Sequence, residues 1–257
     1  MILDLDTLRN AAEPLQFVND EGIDKTEGFE IVEKLKAWLE ENPKSLSVSA
    51  PQLGINKRVI CLRFDNEIKT FYNPIIIKKD KYSVGAEVFN NMPGKEILIA
   101  RPEEITVVYH NAEFAYEENK FLGLAARILD QHSQLFDGVL PDELGLVSDV
   151  ETDGSLFDLT EEELNPLLDI YSQFIKAKTD AYRSKALEDD ESEKIFRNLI
   201  FSEVVLNGRT LVVDNADAEK HAKAEKAANK AIYAERKMEQ QQNRARLRQF
   251  LNRKGKK

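Results

Sequence analysis

Residues 125–140 read Ala125-Ala126-Arg127-Ile128-Leu129-Asp130-Gln131-His132-Ser133-Gln134-Leu135-Phe136-Asp137-Gly138-Val139-Leu140. One polar pair, Gln131-His132, stands inside this run, with Leu135 one helical turn after Gln131. His132 is open to two readings. It serves as a general acid, base or nucleophile's partner, or it is a helix histidine bonded to its neighbours or to water. No serine or cysteine nucleophile is evidently paired with it. A metal centre is not expected. Zinc or ferrous iron needs about three nitrogen, sulfur or carboxylate ligands at roughly 2.0–2.3 Å. The chain has one cysteine, Cys61, and three histidines, His110, His132 and His221, no two of them spaced i and i+4. Cys61 lies in an apolar strand run, where it packs as a small hydrophobe. His110 falls at a strand-to-turn junction and His221 in a polar helix.

Two upstream segments complete a pattern with residues 125–140. Ser49-Ala50-Pro51-Gln52-Leu53-Gly54-Ile55 and residues 87–94 resemble, in the same order, the first two signature motifs of the peptide deformylase family. The third motif of that family is HExxH on a helix, two metal-binding histidines one turn apart and a glutamate that moves the proton. A gapless match places Gln131 and Leu135 at the histidines and His132 at the glutamate. The second motif, EGCLS, supplies a cysteine ligand; here Glu87-Val88-Phe89-Asn90-Asn91 places Phe89 at the cysteine. The resemblance therefore implies the fold, while all three ligands and the catalytic acid/base are replaced.

It extends over residues 1–147. Leu8-Arg9-Asn10-Ala11-Ala12-Glu13-Pro14-Leu15 is similar to the family's opening segment. Phe29, Val32, Leu35, Lys36 and Leu39 follow at helical spacing. Residues 58–64 read as a strand, residues 71–76 resemble the family's INP strand, and Arg101 with residues 105–109 matches the strand after the second motif. Residues 129–140 correspond to the central helix and its exit. Gln52 matches the glutamine that donates to the oxyanion of the tetrahedral intermediate. The family's preceding glycines read Ser45 and Ser47, and losing them hinders close approach of a substrate backbone. Phe89 and Leu135 are expected to plug the metal cavity, each stabilising the domain by roughly 1.5–3 kcal/mol. The family pattern also implies a Glu87–Arg101 ion pair.

At 257 residues the chain has room for one large or two small domains. Its start, Met1-Ile2-Leu3-Asp4-Leu5-Asp6, carries acid where a signal peptide carries base. No apolar run approaches the ~18 residues that span a bilayer, and one cysteine excludes an internal disulfide framework. The expected location is the cytoplasm of a host cell, or a virion. Net charge is −10, unevenly spread. Residues 215–257 hold 13 Lys and Arg against 5 Asp and Glu, a surplus of +8, and the other 214 residues carry −18. Such asymmetry suggests separate jobs or self-association.

After Val147 the resemblance stops. Thr160 reads as a helix N-cap with Glu163 completing a capping box. Leu164, Leu167, Leu168, Tyr171, Phe174 and Ile175 form an apolar face that needs a partner surface, on a helix expected to reach Leu187. Asp189-Asp190-Glu191 reads as a break, and residues 193–200 as a short helix. Residues 202–206 and 209–213 flank Asn207-Gly208, which favours the tight turn of a β-hairpin. An isolated hairpin is marginal in water, so it is expected to join the first domain's sheet or a neighbouring chain. From Ala216 onward the sequence is helix-forming and ends in a basic run with Arg244, Arg246, Arg248, Arg253 and Lys254. That run fits contact with an acidic protein face or with nucleic-acid phosphate, or a solvated tail.

The expected fold is α+β: a deformylase-like domain with mixed or antiparallel sheets around a central helix over 1–147, a helix-plus-hairpin module over 148–214, and a long basic helix over 215–257. Deformylase-like genes occur in large phages, and a composition rich in Lys, Asn, Asp, Glu and Ile suits such a genome. The expected function is a structural or protein-interaction role in a phage virion or its assembly, without catalysis and without a cofactor, metal or membrane. Protein partners in a larger assembly are expected, with RNA or ribosome contact through the basic tail. Two alternatives stand: ribosome or nascent-chain binding through that tail, as bacterial members of the family dock on ribosomes by a C-terminal helix, and a hydrolase of altered chemistry at Gln52 and His132.

Overall fold

The computed structural model describes residues 5–17, 24–64, 67–201, 203–206, 209–212 and nine separate positions between 220 and 238. In chain order the elements are α1 (Leu5–Leu8), α2 (Thr26–Glu41), β1 (Ser47–Ser49), β2 (Val59–Phe64), β3 (Glu67–Val88), β4 (Lys95–His110) and β5 (Tyr116–Leu122). There follow α3 (Gly123–Phe136), α4 (Pro141–Leu144), β6 (Leu146–Asp149), α5 (Glu161–Arg183), α6 (Asp190–Leu199), β7 (Glu203–Leu206) and β8 (Arg209–Val212). The architecture is α+β, as the sequence implies.

Two long strands organise it. β3 and β4 pair antiparallel along nearly their whole length, with irregularities between Tyr72 and Ile75 and between Ile76 and Lys78. The ribbon therefore serves two half-sheets. In the first, β2 lies on the start of β3, β1 on β2, and β5 on the end of β4. In the second, β6 pairs with the start of β4, and β7 lies parallel to β3 through Tyr82–Val204 and Ser83–Val205. At the first irregularity Asn73 adopts φ 50, and its amide clamps the N-terminal segment, accepting from Leu15 N at 2.7 Å and donating to Leu15 O at 2.8 Å.

α3 lies across the ribbon and ends at Gly138, whose φ of +78 suits glycine. A Cβ there would stand 2.2 Å from Arg9 O, so the N-terminal segment can pass only over glycine. α2 packs Ile31, Val32, Leu35 and Leu39 against the first half-sheet. Phe29, expected on that apolar face, is half exposed and leans edge-on against Phe114 instead.

The second half of the chain completes the second half-sheet. Thr160 caps α5 in a reciprocal capping box with Glu163. The apolar face of α5 finds its partner within the chain: Leu168, Tyr171 and Ile175 join Phe89, Ile97, Ile99 and Leu135 in one buried cluster. α6, β7 and Phe201 extend the same cluster. The boundary expected after Val147 falls inside β6, and the core crosses it without a gap.

Two smaller expectations need correction. α5 stops at Arg183 rather than Leu187, and a 3-10 turn, Lys185–Leu187, follows. Asp189 lies in extended backbone and accepts from Ser192 N, so the acidic run expected to break structure caps α6 and fills its first turn. Acid there complements the helix dipole. The hairpin forms as expected and adds to β3; the turn residues Asn207 and Gly208 lie outside the described residues.

Candidate functional site

The three segments that resemble family motifs meet: the turn after β1, the end of β3 and α3 touch one another. Gln52 sits on a 3-10 turn, Ala50–Leu53, opened by Pro51 and closed by Gly54 at φ 82. Its carbonyl oxygen accepts from Ser49 N at 3.0 Å and from Ser49 Oγ at 3.2 Å. Its amide donates to Asn91 Oδ1 at 2.8 Å. Both side chains are buried. The amide that the resemblance assigns to an oxyanion thus contacts Asn91 instead.

His132 is 1 % exposed on the inner face of α3. Its Nε2 lies 2.8 Å from Ser47 Oγ. The sequence offers no evident serine for this histidine, and the fold supplies one from β1, 85 residues away. Ser47 is legible in sequence only as a lost glycine; no local spacing links it to α3. Nδ1 of His132 has no hydrogen-bond partner among the described residues, so no third group orients the ring. Burial, and next the positive charge of Arg101, push His132 down to about 3. The imidazole is neutral at pH 7 and is a poor base, since general-base catalysis works best with a pKa near the operating pH.

Phe89 and Leu135 are 3 % and 0 % exposed and belong to the same apolar cluster. Gln131 is half-buried, with its amide 3.4 Å from Glu87 Oε2. At the positions the resemblance assigns to ligands, two side chains offer no lone pair and the third offers a neutral amide. This donor set does not fit zinc or iron, which take thiolate, imidazole or carboxylate. Among the described residues no group of three or more His, Cys, Asp or Glu is placed to hold a metal ion. Cys61 is buried in β2, and burial pushes its thiol up to about 12.

Charge persists beside this apolar plug. Arg101 of β4 is fully buried. Its Nε donates to Glu87 Oε2 at 2.6 Å, and its Nη1 to Asp130 Oδ2 at 3.0 Å and Gln134 Oε1 at 2.6 Å. Lys79 pairs with Asp130 at 3.0 Å and Arg127 with Glu87 at 2.9 Å. Burial alone would raise the Asp130 carboxyl; Lys79 and Arg101 outweigh it and hold the group below the usual carboxylate range. The implied Glu87–Arg101 pair is thus present as part of a larger network, whose other members the motifs do not announce.

Arg244, Arg246, Arg248, Arg253, Lys254 and His221 lie outside the described residues. Lys220, Lys223, Ala224 and Met238 are among the nearby described positions; they are helical and exposed. No helix of the described residues is long and apolar enough to cross a membrane.

A family model described as polypeptide deformylase matches residues 2–143. A peptide deformylase of Chlorobium limicola is 30% identical over 144 residues, covering 52% of this chain and 73% of the relative. Among solved structures, a probable peptide deformylase from synechococcus phage S-SSM7 is similar with TM-score 0.50 and 26% identity, covering 56% of this chain and 98% of that one. A peptide deformylase from Synechococcus elongatus in complex with actinonin has TM-score 0.51 at 21% identity, covering 66% and 85%, a likeness of fold alone.

Proposed function

We propose that this chain, which belongs to the polypeptide deformylase family, does not remove formyl groups and serves instead as a structural or protein-interaction component of a phage virion or its assembly. One observation carries the first half of this reading: Phe89 and Leu135 stand where the family has ligands, buried together in the core. Replacing polar ligands with well-packed hydrophobes converts a site into core and stabilises it. The neutral, unoriented His132 and the Gln52 amide held by Asn91 agree with it. The likeness to a phage protein supports the setting. The test is a tagged pull-down from the native host at low salt, read by mass spectrometry and nucleic-acid content. A defined set of virion or assembly proteins supports the reading. Ribosomes or RNA lost at high salt would transfer the function to the basic run from Arg244 to Lys254.

A second reading rests on the Ser47–His132 contact at 2.8 Å, a hydroxyl–imidazole pair of the kind that hydrolases use. It requires an ester or amide hydrolysis that disappears in a folded His132→Ala protein. Unchanged background activity in that variant removes it.

A further inference from the structure

Helix α6 does more than close the core. Against the middle of β3 and the last turn of α3 it leaves a cleft of about 360 Å³, lined on one wall by α6 itself. That volume lies in the range of small-molecule sites, roughly 300–1,000 Å³. The cleft is distinct from the Gln52–His132 region, and it exists only because the added half packs on the family domain.

Its inner wall is rich in donors. Arg58 gives Nε to Ala12 O at 2.8 Å and Nη2 to Asp137 Oδ1 at 2.9 Å. Arg197 gives Nη2 to the other oxygen, Asp137 Oδ2, at 3.1 Å. One carboxylate thus holds two guanidinium groups in fixed positions. Nη1 of each, the ammonium of Lys194 and the hydroxyl of Ser133 have no partner among the described residues, and all four residues line the cleft. Arg58 and Arg197 keep 24% and 36% of their side-chain surface exposed. At the mouth the charge reverses. Asp190 and Glu193, in the first turn of α6, are exposed and line the same cleft.

We propose that this cleft binds a small zwitterion, its carboxylate or phosphate head held by Arg58, Arg197, Lys194 and Ser133 and its amine by Asp190 and Glu193. Preorganised guanidinium groups favour an anionic head because charge-assisted hydrogen bonds are strong and the wall needs no rearrangement to make them. The two acids at the mouth reject a plain dianion and admit a molecule that carries its own cation.

Titration calorimetry on the full chain tests this with five probes: phosphoethanolamine and β-alanine as zwitterions, glycerol phosphate and propionate as the matching heads alone, and ethanolamine as an amine alone. One zwitterion binds saturably and about tenfold or more tighter than either half-probe, a difference of about 1.4 kcal/mol. Which zwitterion binds identifies the head as phosphate or carboxylate. Lys194→Glu weakens that binding about tenfold, as expected for a lost charged contact. Asp190→Asn with Glu193→Gln brings the zwitterion to the level of its head-only probe. Among the described residues none of these three side chains makes a hydrogen bond or ion pair, so both variants fold. Removing acid from the first turn of α6 lowers the thermal midpoint slightly. Binding is compared at a temperature where every variant is folded, so loss of binding is not loss of structure. No saturable binding of either zwitterion overturns the proposal, as does binding that both variants leave intact.

Discussion

His132 is the residue whose chemistry the fold has changed most. Its folded pKa of about 3 lies below the unfolded value of about 6.5, the reverse of a histidine that gains a partner acid. The unfolded chain therefore takes up a proton that the folded chain refuses. Stability is complete above about pH 6.5 and falls on acidification by about 1.4 kcal/mol per pH unit for this one group. Between pH 6.5 and 5 a His132→Asn variant loses that slope; urea midpoints at the two pH values measure it, and an unchanged slope would place the ring in a wetter site. Arg101 is the second test at this scale. Arg101→Met leaves Glu87 and Asp130 short of a buried cation and costs about 3–5 kcal/mol of unfolding free energy. A loss below about 1 kcal/mol, no more than a surface pair gives, would mean the network is solvated. Residue identities were legible where a motif frames them: Gln52, Phe89, Gln131 and Leu135 all reach the site that the resemblance implies. The pairings of Ser47 with His132 and of Asn91 with Gln52 were not, because the partners are 85 and 39 residues apart and no local spacing marks such pairs.

Elements were read best where their signal is local. Thr160 with Glu163 and Asn207-Gly208 between two apolar runs each announce one structure, and α5 and the hairpin follow. The length of β3 was not legible. Residues 71–76 and 87–94 read as separate pieces, and only the pairing with β4 joins them across its irregularities. Nor could the apolar face of α5 say which surface it needs. Tyr171 shows the answer: its hydroxyl accepts from Ala100 N at 2.8 Å and donates to Leu144 O at 3.3 Å. Ala100 lies just past Leu98, the last β4 residue that β6 pairs, so the tyrosine takes over where the strand stops. Tyr171→Phe strands a buried backbone N–H and is expected to cost about 1–3 kcal/mol. Denaturant unfolding reads this directly, and a neutral substitution would show that α5 rests on apolar contact alone.

At the scale of the molecule, the family domain and the added half share one core. Leu168, Tyr171, Ile175, Ile195, Leu199, Phe201 and Val204 cover the cluster that contains Phe89 and Leu135. A chain cut after Val147 exposes that cluster and splits β6, and it is expected to lose cooperative unfolding. A chain cut after Asp214 keeps every member of the cluster and is expected to unfold in a single transition; calorimetry on both distinguishes a shared core from a detachable module. The sequence motifs marked the family domain and its altered site, while the joining of the two halves depends on long-range packing that no periodicity encodes. The central claim is that apolar side chains have replaced the metal site and its chemistry. Its most direct test is to supply the purified chain anaerobically with ferrous iron, or with zinc, and to measure bound metal per chain and formate released from a formylated peptide. The account predicts substoichiometric metal and no formate above the protein-free control. One tightly held metal ion per chain with catalytic formate release would contradict it.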